Sequence, residues 1–182
     1  SPCGSEARSV FVSGTDVYAG GIEINCTGPA STATVWKNGA PTFYTGLGFG
    51  GAVQSVFVSG TDVYACGLEN TDATNGSKYV AKLWKNGTGA SLSVNNGVGR
   101  SVYVSGTDVH VAGYEENTAH KKVAKIWKNG IATALSDGTY DVTAQSVFVY
   151  GTDVYVAGYA QIGAQFYSRV WKNPFVICIL EK

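Results

Sequence analysis

The chain has 182 residues, and its 13 Lys and Arg balance 13 Asp and Glu, with only 14% charged residues in all. A net charge of zero without a basic stripe argues against nucleic acid as a partner, and 45% apolar residues argue against disorder. No run approaches the roughly 18 consecutive apolar residues of a spanning helix, and no charged-then-apolar leader opens the chain; the start at Ser1 and the lack of Met read as a processed mature form or a trimmed fragment.

In chain order, the first element is the strand Val10 to Val12 within "SVFVSGTDVY", short and β-branched. "SGTD" then makes a tight turn, with Gly14 able to take positive φ and Asp16 able to bond nearby backbone. Val17 to Ala19 forms the second strand, followed by the variable stretch "IEINCTGPAST". "TVW" is the third strand, and "KNG" closes a hairpin onto "PTFYTG", since Asn-Gly is the strongest short hairpin signal. The opening ten residues return at Ser55, Ser101 and Ser146 as "SVFVSGTDVY", "SVYVSGTDVH" and "SVFVYGTDVY". "ATVWKNG" returns in phase as "AKLWKNG", "AKIWKNG" and "SRVWKNP". A fixed period in the mid-forties with four strands per unit and no helical periodicity predicts an all-β fold, a four-bladed β-propeller with four antiparallel strands per blade. The blades fall at approximately 8–51, 52–98, 99–143 and 144–182 of a single domain over 1–182. The alternative is half of an eight-bladed dimeric propeller; a monomer is favoured over a dimer.

The blade pattern, roughly "SVxVSGxDVYVAGY…AxxWKNG", resembles that of bacterial propeller-repeat proteins, and the resemblance runs from Arg8 to Asn173. It implies the architecture and no particular activity, because propeller blades host many unrelated functions. The WD dipeptide of WD40 blades and the usual double glycine of kelch blades are absent. Trp36, Trp84, Trp127 and Trp171 fall at one position of the third strand and are expected to fill the space between blades, each burying on the order of 200 Å². The last unit ends in "WKNPFVICILEK". Its apolar outer strand, Phe175 to Leu180, needs cover from the N-terminal segment or from another subunit.

Strand order puts the repeated "SGTD" and "WKNG" turns at one end of every blade and the variable loops at the other. Ligands are expected at the variable end, where architecture does not dictate the residue. Two constellations sit there. Arg8, Gln54, Arg100 and Gln145 each precede the inner-strand Ser and are expected to ring the channel mouth, alternating Arg and Gln, as an anion or carboxylate site. Glu23, Glu69 and Glu115 lie just past the second strand, with Ala160 at the fourth position; they are candidates for pairing with the arginines or for holding Ca²⁺. No compact Asp/Asn loop supplies the six to eight oxygens of a Ca²⁺ site, so no cofactor is expected. Asp16, Asp62, Asp108 and Asp153 read as turn formers, His110 as a packed strand residue, and His120 as exposed.

The four cysteines show no CxxC spacing, so a zinc site is not expected. A Cys3–Cys178 bridge could staple the ring shut and Cys26–Cys66 could form a second, against the alternative of four buried thiols. The sequons at Asn25, Asn75 and Asn86 fit a secreted or extracytoplasmic protein. No GxSxG, HExxH, P-loop or GxGxxG-plus-helix motif is present. The leading reading is therefore a non-enzymatic binding module that presents its blade-end loops and a polar channel mouth to a glycan, a small anion or a protein. The alternative is a metal-dependent, lactonase-like hydrolase using Glu23, Glu69 and Glu115 at the channel mouth.

Overall fold

The computed structural model describes residues 2–25, 31–45, 50–72, 78–173 and 175–180, with the side chains of 2, 3, 25 and 175–180 left out of the description. The chain is all-β and propeller-like. Its first sheet takes β1 (Pro2–Ser13), β2 (Asp16–Asn25), β3 (Ser31–Lys37) and β4 (Ala40–Phe43) in sequence order. The second takes β5 (Gly51–Ser59), β6 (Asp62–Asn70), β7 (Tyr79–Lys85) and β8 (Thr88–Ser91). The third takes β9 (Gly97–Ser105), β10 (Asp108–Glu116), β11 (Lys122–Lys128) and β12 (Ile131–Ala134). The fourth takes β13 (Asp141–Tyr150), β14 (Asp153–Ile162), β15 (Gln165–Lys172) and β16 (Phe175–Leu180). Among the described residues there is no helix, and so none long and apolar enough to cross a membrane.

The repeated turn residues lock each blade at one end. Asn38 and Gly39 sit at φ 51° and 84°, the left-handed pair that an Asn-Gly hairpin turn requires. Asn38 Oδ1 accepts the Val17 N–H at 2.9 Å, and its Nδ2 donates to Asp16 at 2.8 Å. Lys37 pairs with the other Asp16 oxygen at 2.8 Å. The same clamp of Asp, Lys and Asn recurs with Asp62, Lys85 and Asn86, with Asp108, Lys128 and Asn129, and with Asp153, Lys172 and Asn173. "TDV" and "WKN" repeat because they hold each other across two hairpins. Asn86, a sequon residue, has both side-chain groups in this clamp, so a glycan there would open it.

Each blade has two unlike faces. One carries the inner-strand valines and the Trp; the other carries an aromatic residue and small or branched residues. Val56, Val58, Ala65 and Trp84 of the second blade pack onto Tyr18, Ala33, Val35 and Phe11 of the first. Val102, Val104, Val111 and Trp127 pack onto Tyr64, Cys66, Ala81 and Phe57. Val147, Val156 and Trp171 pack onto Ala112, Ala124, Ile126 and Tyr103. A hydrogen bond repeats at every junction: Val56, Val102 and Val147 donate their N–H to the Oγ of Ser9, Ser55 and Ser101 of the preceding blade, at 3.0, 3.2 and 3.2 Å. The aromatic rings line up as well, Phe11 on Phe57, Phe57 on Tyr103 and Tyr103 on Phe148, with centroids 4.7, 5.0 and 5.1 Å apart.

The ring expected from four blades is not closed among the described residues. Among the described residues, sheets pack first on second, second on third and third on fourth, with no comparable return of the fourth onto the first. Val10 and Val12 are 67% and 60% exposed, while their counterparts in the other blades are buried. Trp36 is partly exposed where Trp84, Trp127 and Trp171 are buried. At the far end Phe148 is 52% exposed. Neighbouring blades meet through complementary faces, and four of them leave one of each kind uncovered.

The cysteine expectations divide. Cys66 is a free thiol with no exposure, so the Cys26–Cys66 bridge is not formed; the β6 side chain points into the packing against the third blade. Cys26 and the side chains of Cys3 and Cys178 lie outside the described residues, as do Asn75 and the side chains of the apolar strand β16.

Candidate functional site

At the end opposite the clamps, the inner strand of every blade carries a bulge. The pairing of β1 with β2 skips Arg8, that of β5 with β6 skips Gln54, that of β9 with β10 skips Arg100, and that of β13 with β14 skips Gln145. The four residues expected at the channel mouth are therefore the extra residues of four equivalent bulges, a device that re-aims a side chain out of the ladder. The partner strand accommodates each bulge with a glycine. A Cβ on Gly21, Gly67, Gly113 or Gly158 would fall 1.8, 1.8, 2.0 or 2.1 Å from a carbonyl oxygen of the bulged strand. This repeated strand glycine was the available signal for the bulges, since a glycine inside a strand marks a bulge or a close backbone approach.

The bulge side chains differ in what they meet. Arg8 forms a two-point contact with Glu6, 3.0 Å from Nε and 3.1 Å from the terminal nitrogen, and this hydrogen bonding holds the Glu6 carboxyl below its usual range. Arg100 lies over the ring of Tyr114, its guanidinium carbon 5.9 Å from the centroid, and Lys122 approaches the same ring at 5.1 Å. Arg100 Nε is buried without a hydrogen-bond partner among the described residues. Tyr114 is 4% exposed. Burial, followed by the neighbouring Tyr79 hydroxyl, pushes its phenol well above the ordinary tyrosine range, against the pull of Arg100. Burial likewise raises the Cys66 thiol, and the Arg100 charge opposes it. Gln54 is partly buried and Gln145 exposed.

Glu23, Glu69 and Glu115 lie within β2, β6 and β10 rather than beyond them. Glu69 forms a mostly buried ion pair with Lys82 at 2.6 Å. Glu115 is 3.8 Å from Lys125, and its Oε1 accepts the N–H groups of Val94 and Asn95 at 2.9 and 3.1 Å. Ala160, at the fourth position, is buried. Among the described residues no three His, Cys, Asp or Glu side chains converge as metal ligands. His120 is exposed at φ 57° beside Glu116. Lys121 pairs with Asp141 at 3.2 Å, and Asp141 also accepts the Lys122 N–H.

A second feature sits at the clamp end, between the third and fourth blades. A cavity of about 160 Å³ is lined by His110, Ile126, Leu135, Val156 and Trp171 among others. His110 stands where the other blades have Tyr18, Tyr64 and Tyr155. It is 3% exposed, and its Nδ1 has no hydrogen-bond partner among the described residues. Burial, then Lys128, holds its pKa below the ordinary histidine value.

No protein-family model matches the chain, and no curated protein matches it. Among solved structures it is similar to "a GH43_12 retrieved from capybara gut metagenome", at 13% sequence identity and a TM-score of 0.50. The match covers 93% of this chain and 40% of that one. At that identity the likeness is one of fold, and it places the four sheets with propeller structures.

Proposed function

We propose that this chain is a recognition module whose variable-loop end binds an acidic carbohydrate, with Arg100 receiving the carboxylate and the Tyr114 and Tyr79 side chains supporting it. The observation that carries this reading is Arg100 itself. It is lifted from the ladder by a bulge, backed by an aromatic ring, and left with a buried Nε that has no partner among the described residues. A buried guanidinium donor without an acceptor is costly, and a planar carboxylate is its geometric complement. Lys122 adds positive charge on the same ring. The likeness to a GH43_12 makes carbohydrate the ligand class to test first, and an extracytoplasmic location fits such a ligand. The hydrolase alternative asks Glu23, Glu69 and Glu115 to serve a metal, and Glu69 and Glu115 are already engaged. Their engagement by Lys82, Lys125 and two backbone N–H groups supports the binding reading over it.

Titration calorimetry with oligosaccharides that contain uronic acid, against their neutral counterparts, tests the reading. Binding of the acidic series alone is expected, weakened at least tenfold in Arg100→Gln, a variant that copies the bulge residue of the second and fourth blades. Equal binding of both series, or an unchanged Arg100→Gln, would refute it. Ca²⁺ is expected to leave the melting temperature unmoved; a Ca²⁺-dependent rise abolished by Glu69→Gln would favour the hydrolase.

A further inference from the structure

The two uncovered faces are the two halves of one interface. At each of the three internal junctions, a valine–tryptophan face meets an aromatic face through the same contacts, with a Ser Oγ accepting a Val N–H. The first blade still presents the first kind of face, with Val10, Val12 and Val17 at 67%, 60% and 45% exposure. The fourth still presents the second kind. Phe148 ends the aromatic ladder, and among the described residues Ser146 Oγ meets no valine N–H of a further blade. This outer face is not made polar, as a terminal capping repeat normally is. Tyr150, 75% exposed, stands where the other blades carry Ser13, Ser59 and Ser105, and Phe166, 65% exposed and edge-to-face with Tyr159 at 5.4 Å between centroids, adds a further ring.

We propose that the fourth blade of one copy packs on the first blade of a second copy, and the reverse, closing a two-fold ring of eight blades. The contact would repeat the internal junction: the partner's Val10 donates its N–H to Ser146 Oγ, the partner's Phe11 continues the ladder from Phe148, and the partner's Trp36 becomes buried. Two observations select two copies. The chain does not close on itself at four blades, and propellers hold typically 4–8 blades, so eight is the one count in that range that whole copies reach. The contact is head-to-tail, and such a contact makes a ring when its rotation closes and a filament when it does not.

Native mass and sedimentation of the intact chain across concentration test this. A species of twice 19.0 kDa is expected. A monomer at every concentration, or a series of growing polymers, would overturn the proposal. Val10→Lys with Val12→Lys breaks one face, and Phe148→Lys breaks the other. All three positions are more than half exposed in the single chain, so circular dichroism is expected to show both variants folded. Each alone is expected to be monomeric. Mixed, they are expected to form a heterodimer, because one of its two contacts joins two intact faces. A variant that dimerises alone, or a mixture that stays monomeric, would contradict the head-to-tail ring.

Discussion

At the residue scale, the position that breaks the repeat is the most informative. Tyr18 and Tyr64 are buried beneath Lys37 and Lys85, whose ammonium groups lie 5.5 and 5.4 Å from the ring centres. His110 is shorter, and the cavity opens beside it. His110→Tyr is expected to stabilise the protein by about 1 kcal/mol, as cavity-filling changes commonly do, read as a higher denaturation midpoint. The substitution also removes a titration. A histidine whose folded pKa lies below its unfolded value near 6.5 holds fewer protons folded than unfolded, so stability falls as pH drops through about 6.5 towards the folded pKa. That loss is expected in the parent chain and not in His110→Tyr. A pH profile identical in the two would show that His110 is solvated. The clamp aspartates titrate lower. Asp16, Asp62, Asp108 and Asp153 are held below their ordinary range, first by their lysines and then by their asparagines. Their contribution is therefore present above about pH 3.9 and lost as pH falls through the depressed values. Asp62→Asn is expected to flatten the acid limb of a pH–stability curve; an unaltered limb would show that the clamp adds nothing.

At the element scale, the glycine opposite each bulge decides where the strand can bend. A methyl on Gly67 would overlap the Ala52 carbonyl oxygen at 1.8 Å, and backbone cannot give way as a flexible side chain does. Gly67→Ala is expected to cost about 1–3 kcal/mol, seen as a lower urea midpoint at an unchanged slope. A neutral result would mean that the bulge relaxes freely. The turns were legible in the sequence because Asn-Gly and Gly-Thr-Asp carry their conformations with them. The strand lengths were not. The sequence pattern marks the first strand of the first blade over Val10 to Val12, whereas β1 spans Pro2–Ser13, because the bulge at Arg8 breaks the period-two alternation on which strand recognition rests. The glutamates read as lying past the second strand because Gly21, Gly67 and Gly113, two residues before them, look like strand ends, whereas each of these glycines continues the strand opposite a bulge. The Arg and Gln positions were legible as a repeated column. The surroundings of Arg100 were not, because Tyr79, which meets the Tyr114 ring beneath Arg100, belongs to the neighbouring blade and to a stretch that does not repeat.

At the scale of the whole molecule, the repeated "SV" is an instruction for stacking blades: the Ser receives the next blade, the Val is received by the previous one. This explains why four copies were kept so alike, and it leaves the first and last copies half used. The blade architecture could be read from periodicity; closure could not, because the number of blades in a ring depends on the rotation from one blade to the next, which no residue pattern encodes. The tryptophans report on it directly. Acrylamide quenching of the native fluorescence, compared between the parent chain and Trp36→Phe across concentration, is the measurement closest to the claim of an arc with two complementary open faces. One accessible tryptophan class is expected at high dilution, absent in Trp36→Phe and lost from the parent as concentration rises. Four tryptophans equally shielded at a dilution where sedimentation shows a monomer would mean that the chain closes on itself, against the open faces.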